Sequence, residues 1–490
     1  MQESGQWSTW RSALWSVALI AGSGCSAEPQ AAAPAATSQS GAGQLAAVGG
    51  NAGTATSSVT SVAGLAAGAT ATARGGAPGS TAGAGMSGSS RPDRPSTGAA
   101  GRGMPVVTGG AGAGAAGSPA STTPPSGPMA PLDCGMNGVA IENAGPPKNR
   151  VNYVIVGDGY TAAQQETFVA HVQKAMTKRF SEVIGQPYGR YRKFVNICAI
   201  KLVSQNGPIG SGATALDCTG DDQSRLAKCN SSKVNMALMA NLPTSFEVDW
   251  KAVVLNNDRW WNTGATIMLW SGAHKDAAGA ALHEGGHGFH QLADEYNGSD
   301  TNCSKEFGEV NVTADNSKTA GKWDMWLGWD QAGATGVQGA ISGARYCMSG
   351  QYRPSQNSMM NQLFGDKPNT AYNPVSREKM IMDIWRAVTP VDMATPAAGK
   401  LDKPGMLQVK VIDPAVVDVD WSIDDKVVAA KGGESFDLSA QTLAPGAHTI
   451  TALAYDNAGM ELVRYKSGMQ YGRMNWARSQ QKVTWTIEVP

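Results

Sequence analysis

From Ser26 to about Pro131 the chain consists almost entirely of Ala, Gly, Ser, Thr and Pro, without any apolar period. Such a stretch cannot bury enough apolar surface to offset the entropy lost on ordering it. The fold therefore has to be made by the residues from about Asp133 onward. At 5–6 Å times the square root of its length, a coil of this kind spans roughly 50–60 Å, which suits a flexible tether.

Ahead of that tract stand Arg11, an apolar run Ala13–Ala21 (ALWSVALIA) and the small residues Gly22-Ser23-Gly24 before Cys25. These are the charged, apolar and small-residue parts of a secretory signal, and the run is too short to span a bilayer. With a cysteine directly after the small residues, the segment resembles a bacterial lipoprotein signal in which Cys25 would be lipidated; a plain secretory signal is the alternative reading. Export is supported by the six remaining cysteines, Cys134, Cys198, Cys218, Cys229, Cys303 and Cys347, an even set suited to disulfides in an oxidising compartment. Cys218 with Cys229 would close a short polar loop, and Cys303 with Cys347 would clamp a later segment. No C-x-x-C pair exists to hold a cysteine-ligated metal. Net charge is zero with 16% charged residues, so no overall field favours nucleic acid or an anionic membrane as partner. Membrane contact is expected only through an N-terminal lipid, and the location is the cell envelope or the extracellular space.

The chemistry concentrates at His283-Glu284-Gly285-Gly286-His287, followed by Asp294 and Glu295. Histidine is scarce, six in 490 residues, and four of the six (His274, His283, His287, His290) lie in one window. Two histidines four apart share a helix face, so neutral ring nitrogens can hold one Zn²⁺ while Glu284 acts on a water beside it. A helix over Ala277–Gln291 is predicted, and its glycines at 285, 286 and 288 each cost about 1 kcal/mol of helix propensity relative to alanine. That cost implies backbone packed hard against a neighbour. A third ligand is needed. His290 shares the face, but three ligands along a straight helix at about 1.5 Å per residue spread over roughly 10 Å and do not converge. A ligand from a turn after the helix converges better, which favours Asp294, with Glu295 and His290 as the alternatives.

Around this helix the pattern is mixed. Val151–Val156, Phe194–Val203, Ala252–Leu255 and Thr266–Trp270 read as strands, Thr161–Phe180 as a helix capped by Thr161, and Asp258–Asn262 as a loop. Strand, helix, strand, strand and histidine helix predict an α/β layer structure with its cleft against the sheet. From about Lys400 the short segments Leu407–Val411, Val417–Trp421, Phe436–Leu438, Thr449–Ala454 and Val483–Val489, spaced by Gly, Pro and Asp turns, predict a β-sandwich. The organisation expected is a signal at 1–25, a disordered linker at 26–131, an α/β (α+β) zinc domain at 132–395 and an all-β module at 400–490. Pro445–Ala452 with Ala454-Tyr455-Asp456 resembles the paired strands of immunoglobulin-like modules of bacterial surface proteins.

His283–Phe289 with Leu292-Ala293-Asp294-Glu295-Tyr296 resembles the signature of the IgA-peptidase family of bacterial zinc metallopeptidases, relatives of the metzincins. Ile155–Thr161 and Phe194-Val195-Asn196 share the resemblance, which spans roughly residues 150–390. It implies a metzincin-like fold, Asp294 as third ligand and a methionine turn under the metal at Met359 or its neighbour Met360. The family usually has glycine where His290 and Gln291 stand, so the exit from the helix is expected to differ. The function implied is hydrolysis of protein or peptide substrates by a zinc metalloendopeptidase, with Glu284 as general base and His283, His287 and Asp294 holding Zn²⁺. Tyr296 and Tyr352 are candidates for an oxyanion donor, and Asp158, between glycines, is either functional or a turn residue. The rival reading is a non-catalytic surface lipoprotein that uses the fold and the β-module for binding. The retained Glu284 counts against it, since a scaffold has no use for a base there.

Overall fold

The computed structural model describes residues 131–490 apart from 182–184, 302, 317–321, 362–370, 460, 465–468, 471–472 and 475–476. The signal segment, Cys25 and the linker lie outside the described residues. The first part is a mixed α/β layer structure. Its sheet comprises β1 (Gly138–Glu142), β2 (Val151–Asp158), β3 (Val195–Ile200), β4 (Trp250–Leu255), β5 (Asn262–Thr263) and β6 (Met268–Ser271), in the order β1-β3-β2-β4-β6-β5. Strands β3, β2, β4 and β6 run parallel, and β1 and β5 pair antiparallel at the two edges. β5 falls where the sequence reads as loop: two residues carry no period, and its pairing with β6 makes it a strand.

Both faces of the sheet are covered, which is why every residue of β2 is buried, Asn152 and Asp158 included. Alternate residues separate cleanly by face. Tyr153, Ile155, Ile197, Ala199, Val254, Met268 and Trp270 pack beneath α1 (Gln165–Arg179) and α3 (Ala277–Gly288). Val154, Val156, Cys198, Ile200, Val253, Leu255 and Leu269 face α2 (Ser231–Asn241) on the other side. Ahead of α1, Thr161 donates its N–H to the Gln164 side chain at 3.1 Å, and a 3₁₀ turn precedes the helix proper. Asp158 is a fully buried anchor: its carboxylate accepts from Thr214 Oγ1 (2.8 Å), Leu216 N (2.9 Å) and Cys218 N (3.0 Å), pinning the loop after β3. Three disulfides are present, Cys134–Cys198, Cys218–Cys229 and Cys303–Cys347, including both pairs expected from spacing.

Beyond α3 come the hairpin β7 (Ile341–Ala344) and β8 (Cys347–Arg353), then α4 (Pro374–Ala387), which opens with Asn373 capping Ser376 N. The C-terminal part is all β. Strands β9 (Val391–Thr395), β11 (Met406–Val411) and β14 (Ser435–Asp437) make a three-stranded sheet. A five-stranded one runs β10 (Gly399–Leu401), β16 (Gln480–Val489), β15 (Gly446–Asp456), β12 (Val417–Ile423), β13 (Lys426–Ala429). Phe436 of the first stacks on Trp421 of the second at 5.2 Å, and Trp421 stacks in turn on Trp485. β9 already pairs with β11, so the β part starts at Val391.

The two parts share one continuous apolar core. A buried polar knot joins them: Asp456, fully enclosed, accepts from Tyr191 Oη (2.5 Å), Trp385 Nε1 (2.7 Å) and Arg190 Nη2 (3.1 Å). Arg150 and Asp392 add a bidentate ion pair with both contacts at 2.7 Å. Asp456→Ala strands three donors at this junction and is expected to lower the unfolding free energy by about 3 kcal/mol. Denaturant titration reads that loss, and a change below about 1 kcal/mol would show that apolar packing alone joins the parts.

Candidate active site

Helix α3 is pressed close against three neighbours, and its glycines are the points of contact. A Cβ at Gly285 would lie 3.0 Å from Trp250 and 3.1 Å from Arg179; at Gly286, 2.5 Å from Met360 Sδ; at Gly288, 2.6 Å from Met268. The helix propensity lost at these positions is exchanged for close approach to sheet, core and the Met359-Met360 segment. Arg179 is itself buried beneath the helix, its guanidinium over Trp250 (4.5 Å), Tyr188 (4.8 Å) and Tyr153 (5.3 Å), and it donates to the Ala281 carbonyl at 2.8 Å.

From this helix His283 and His287 turn their Nε2 atoms to one point, 3.0 Å apart. Asp294 Oδ1 closes the triangle, 2.9 Å from His283 Nε2 and 3.1 Å from His287 Nε2. Each Nδ1 donates to a backbone carbonyl: His283 to Met359 O at 2.8 Å, His287 to Leu292 O at 2.6 Å. Since a carbonyl only accepts, the neutral rings carry their proton on Nδ1 and present a bare Nε2. Two lone pairs and a carboxylate oxygen facing each other at 3 Å repel unless positive charge lies among them. With a proton as the only cation, burial lowers His287 but the Asp294 carboxylate overrides it and pushes it up to about 9. Burial works against Asp294 as well, yet the two histidines hold it well below the usual carboxylate range. A divalent metal, with ligand bonds of about 2.0–2.2 Å, satisfies all three donors at once and displaces that proton. The donor set thus fits such an ion.

Glu284 lies beside this triangle, within 4.8 Å of the histidine nitrogens. It is buried, which pushes its carboxyl up, opposed by His283 and His287. Gly264, just past β5, forms the opposite wall: a Cβ there would stand 2.3 Å from His287 Cδ2 and 2.6 Å from Glu284 Oε2.

The alternatives for the third ligand go elsewhere. His290 is fully buried in the core, its Nε2 2.5 Å from Tyr188 Oη and its Nδ1 3.1 Å from Asp383, and burial lowers it to about 4. Glu295 points away from the histidines and accepts from Ser358 Oγ (2.6 Å), Asn311 Nδ2 (2.9 Å) and Asn373 Nδ2 (2.9 and 3.0 Å), while burial pushes its carboxyl up. Its own N–H donates to Met360 O at 2.7 Å. Glu295 therefore ties the chain after Asp294 to the Ser358–Met360 segment and the start of α4. Within that segment Met359 supplies the carbonyl under His283, and it is Met360 whose side chain fills the space left by Gly286.

Tyr296 stacks on His283 at 6.3 Å between centroids, and its hydroxyl donates to Tyr346 Oη at 3.1 Å. Tyr352 pairs its backbone with Thr313. The residue that sequence reasoning missed is Tyr346, whose hydroxyl donates to Asp294 Oδ2. No motif surrounds it, and its one sequence-level signal is the neighbouring Cys347.

Two histidines on one helix, joined by an aspartate from the following turn and with a glutamate beside them, are a set that could hold a metal ion and act on a water next to it. Residues 139–336 match the family model described as IgA Peptidase M64, and the chain carries a domain of that peptidase family. The match takes in the histidine helix and Asp294 and ends before Tyr346, Met359 and Met360. No curated protein matches the chain.

Gly264→Ala is expected to push Glu284 and His287 out of place and to lower peptidase activity roughly a hundredfold, as displacements of about 1 Å at reacting groups do. Thermal unfolding should hardly move. Full activity in that variant would show that the wall is free to yield.

Proposed function

We propose that the chain is an exported zinc-dependent endopeptidase, with His283, His287 and Asp294 as ligands and Glu284 as general base. The observation that carries this reading is the convergence of three acceptor atoms within 3.1 Å, their rings fixed from behind by carbonyls. Zn²⁺, when bound, brings a water toward ionisation at neutral pH and polarises the scissile carbonyl. Glu284, buried beside the ligands, takes the proton of the attacking water and hands it to the leaving nitrogen. The Met359 and Leu292 carbonyls hold the imidazoles in the required tautomer throughout. Gly264 packs against Glu284 and His287 and so fixes where their side chains stand.

Export is proposed on the apolar run before Cys25 and on three disulfides, which persist in oxidising compartments. With Cys25 lipidated, the Ala/Gly/Ser/Pro tract would hold the peptidase away from the envelope surface. The two-sheet C-terminal part is proposed as an immunoglobulin-like module and the α/β part as metzincin-like. The peptide sequence cut is left to a substrate panel.

Elemental analysis of the full chain should find one zinc per chain in the wild type and in Glu284→Gln, with casein cleavage at least 10²-fold lower in the variant. Asp294→Ala should lose the zinc, whereas His290→Phe should keep it at a cost of about 1–3 kcal/mol in stability, the penalty for leaving Tyr188 and Asp383 short of a partner. Equal cleavage by wild type and Glu284→Gln would end the general-base assignment, and absence of zinc in the wild type would end the metallopeptidase reading.

A further inference from the structure

We propose that Tyr346 is a positioning residue for the metal ligand Asp294, held in place by the hairpin that Cys303–Cys347 anchors. The inference rests on the metallopeptidase reading and adds to it a device that sets how the third ligand binds. Asp294 has two oxygens. Oδ1 faces both imidazoles, and Oδ2 accepts the Tyr346 hydroxyl proton. With Oδ2 so occupied, the carboxylate cannot rotate to offer both oxygens to the ion, and the position facing Glu284 stays open for water and substrate. The direction of the bond is set by the carboxylate, which only accepts, so the Tyr346 proton goes to Asp294 and Tyr296 donates to Tyr346 Oη.

Tyr346 sits at the tip of the β7–β8 hairpin, whose strands pair Ala344 with Cys347 across a two-residue turn. Arg345 (φ 50°) and Tyr346 (φ 64°) are its two central residues, both in the left-handed region that a tight two-residue hairpin turn requires. Three backbone bonds hold the turn in place: Arg345 N to Asp294 O (3.0 Å), Tyr346 N to Tyr296 O (3.1 Å) and Asp300 N to Tyr346 O (2.8 Å). Gly298 permits this closeness, since a Cβ there would lie 3.1–3.2 Å from Tyr346 backbone and Cβ atoms. The next residue, Cys347, is buried and bonded to Cys303. Yet the Tyr346 side chain is 38% exposed and fills no core space. The cross-linked turn brings one hydroxyl to one carboxylate oxygen.

The test uses the full chain and Tyr346→Phe, loaded with Zn²⁺ and, in parallel, with Co²⁺. Competition with a chelator should show Zn²⁺ affinity 10–100-fold weaker in the variant, the usual loss when a ligand's supporting hydrogen bond is removed. The visible absorption of the Co²⁺ form should change shape, because the carboxylate is free to bind through both oxygens, while the melting temperature of the metal-free protein stays the same. Unchanged affinity and an unchanged Co²⁺ spectrum would overturn the assignment. Replacing both Cys303 and Cys347 by Ser should also weaken Zn²⁺, and adding Tyr346→Phe to that pair should cost less than it does in the wild type, as expected for sites acting through one another. Fully additive losses would overturn the anchoring role of the disulfide. If the wild type takes up neither Zn²⁺ nor Co²⁺, the metal site itself fails, an outcome distinct from equal binding by wild type and variant.

Discussion

Everything at the site depends on how closely helix α3 can be gripped. The sheet approaches through Met268 and Trp250, the core through Arg179, and the segment after β8 through Met360, and each meets a glycine. With alanine at 286 the Met360 side chain would have to withdraw, carrying the Met359 carbonyl from beneath His283 and loosening the tautomer that bares its Nε2. Helix propensity is thus given up where it is normally most needed, in mid-helix, so that a ligand's far nitrogen can be fixed from a segment more than seventy residues downstream.

The neighbouring carboxylates Asp294 and Glu295 divide two tasks that one residue could not perform. Asp294 faces the histidine pair, with Oδ1 against both rings, and its charge is held by the histidines. Glu295 takes the opposite course, accepting from three side chains and so binding the ligand-bearing turn to the Met359-Met360 segment and to Asn373 at the head of α4. Adjacent residues in extended backbone point to opposite sides, which lets one face the metal and the other the core. His290 belongs to the second task too: buried, its pKa lowered and paired with Tyr188 and Asp383, it secures the end of the helix.

How much of this could be read from the sequence depends on the range of each interaction. The paired histidines, Glu284 and the costly glycines are local, and the period of a helix gives their geometry directly. The placing of Asp294 beside the paired histidines was reachable through the same arithmetic, since a straight helix carries His290 away from the point where their rings meet and a turn can bring Asp294 there. Core strands with unbroken apolar runs were legible, as were the two disulfide pairs close in sequence. What escaped shares one property, that its role is set by partners far along the chain. β5 is two residues defined by pairing; α2 carries weak periodicity; Glu295 gains its role only when Asn311, Ser358 and Asn373 arrive; Tyr346 lies fifty-two residues from the carboxylate it contacts. The exchange of parts between Met359 and Met360 has the same origin, because which side chain meets Gly286 depends on the turn and not on either residue's type.

The junction with the β part bears on the site through α4. Trp385 of that helix donates to Asp456 of β15, Asp383 holds His290, and Asn373 at its head holds Glu295. One helix therefore connects the C-terminal sheets, the exit of α3 and the turn carrying Asp294. Since the apolar core runs unbroken across the same boundary, the β part is built into the unit that carries the histidine helix and is not a freely hinged appendage.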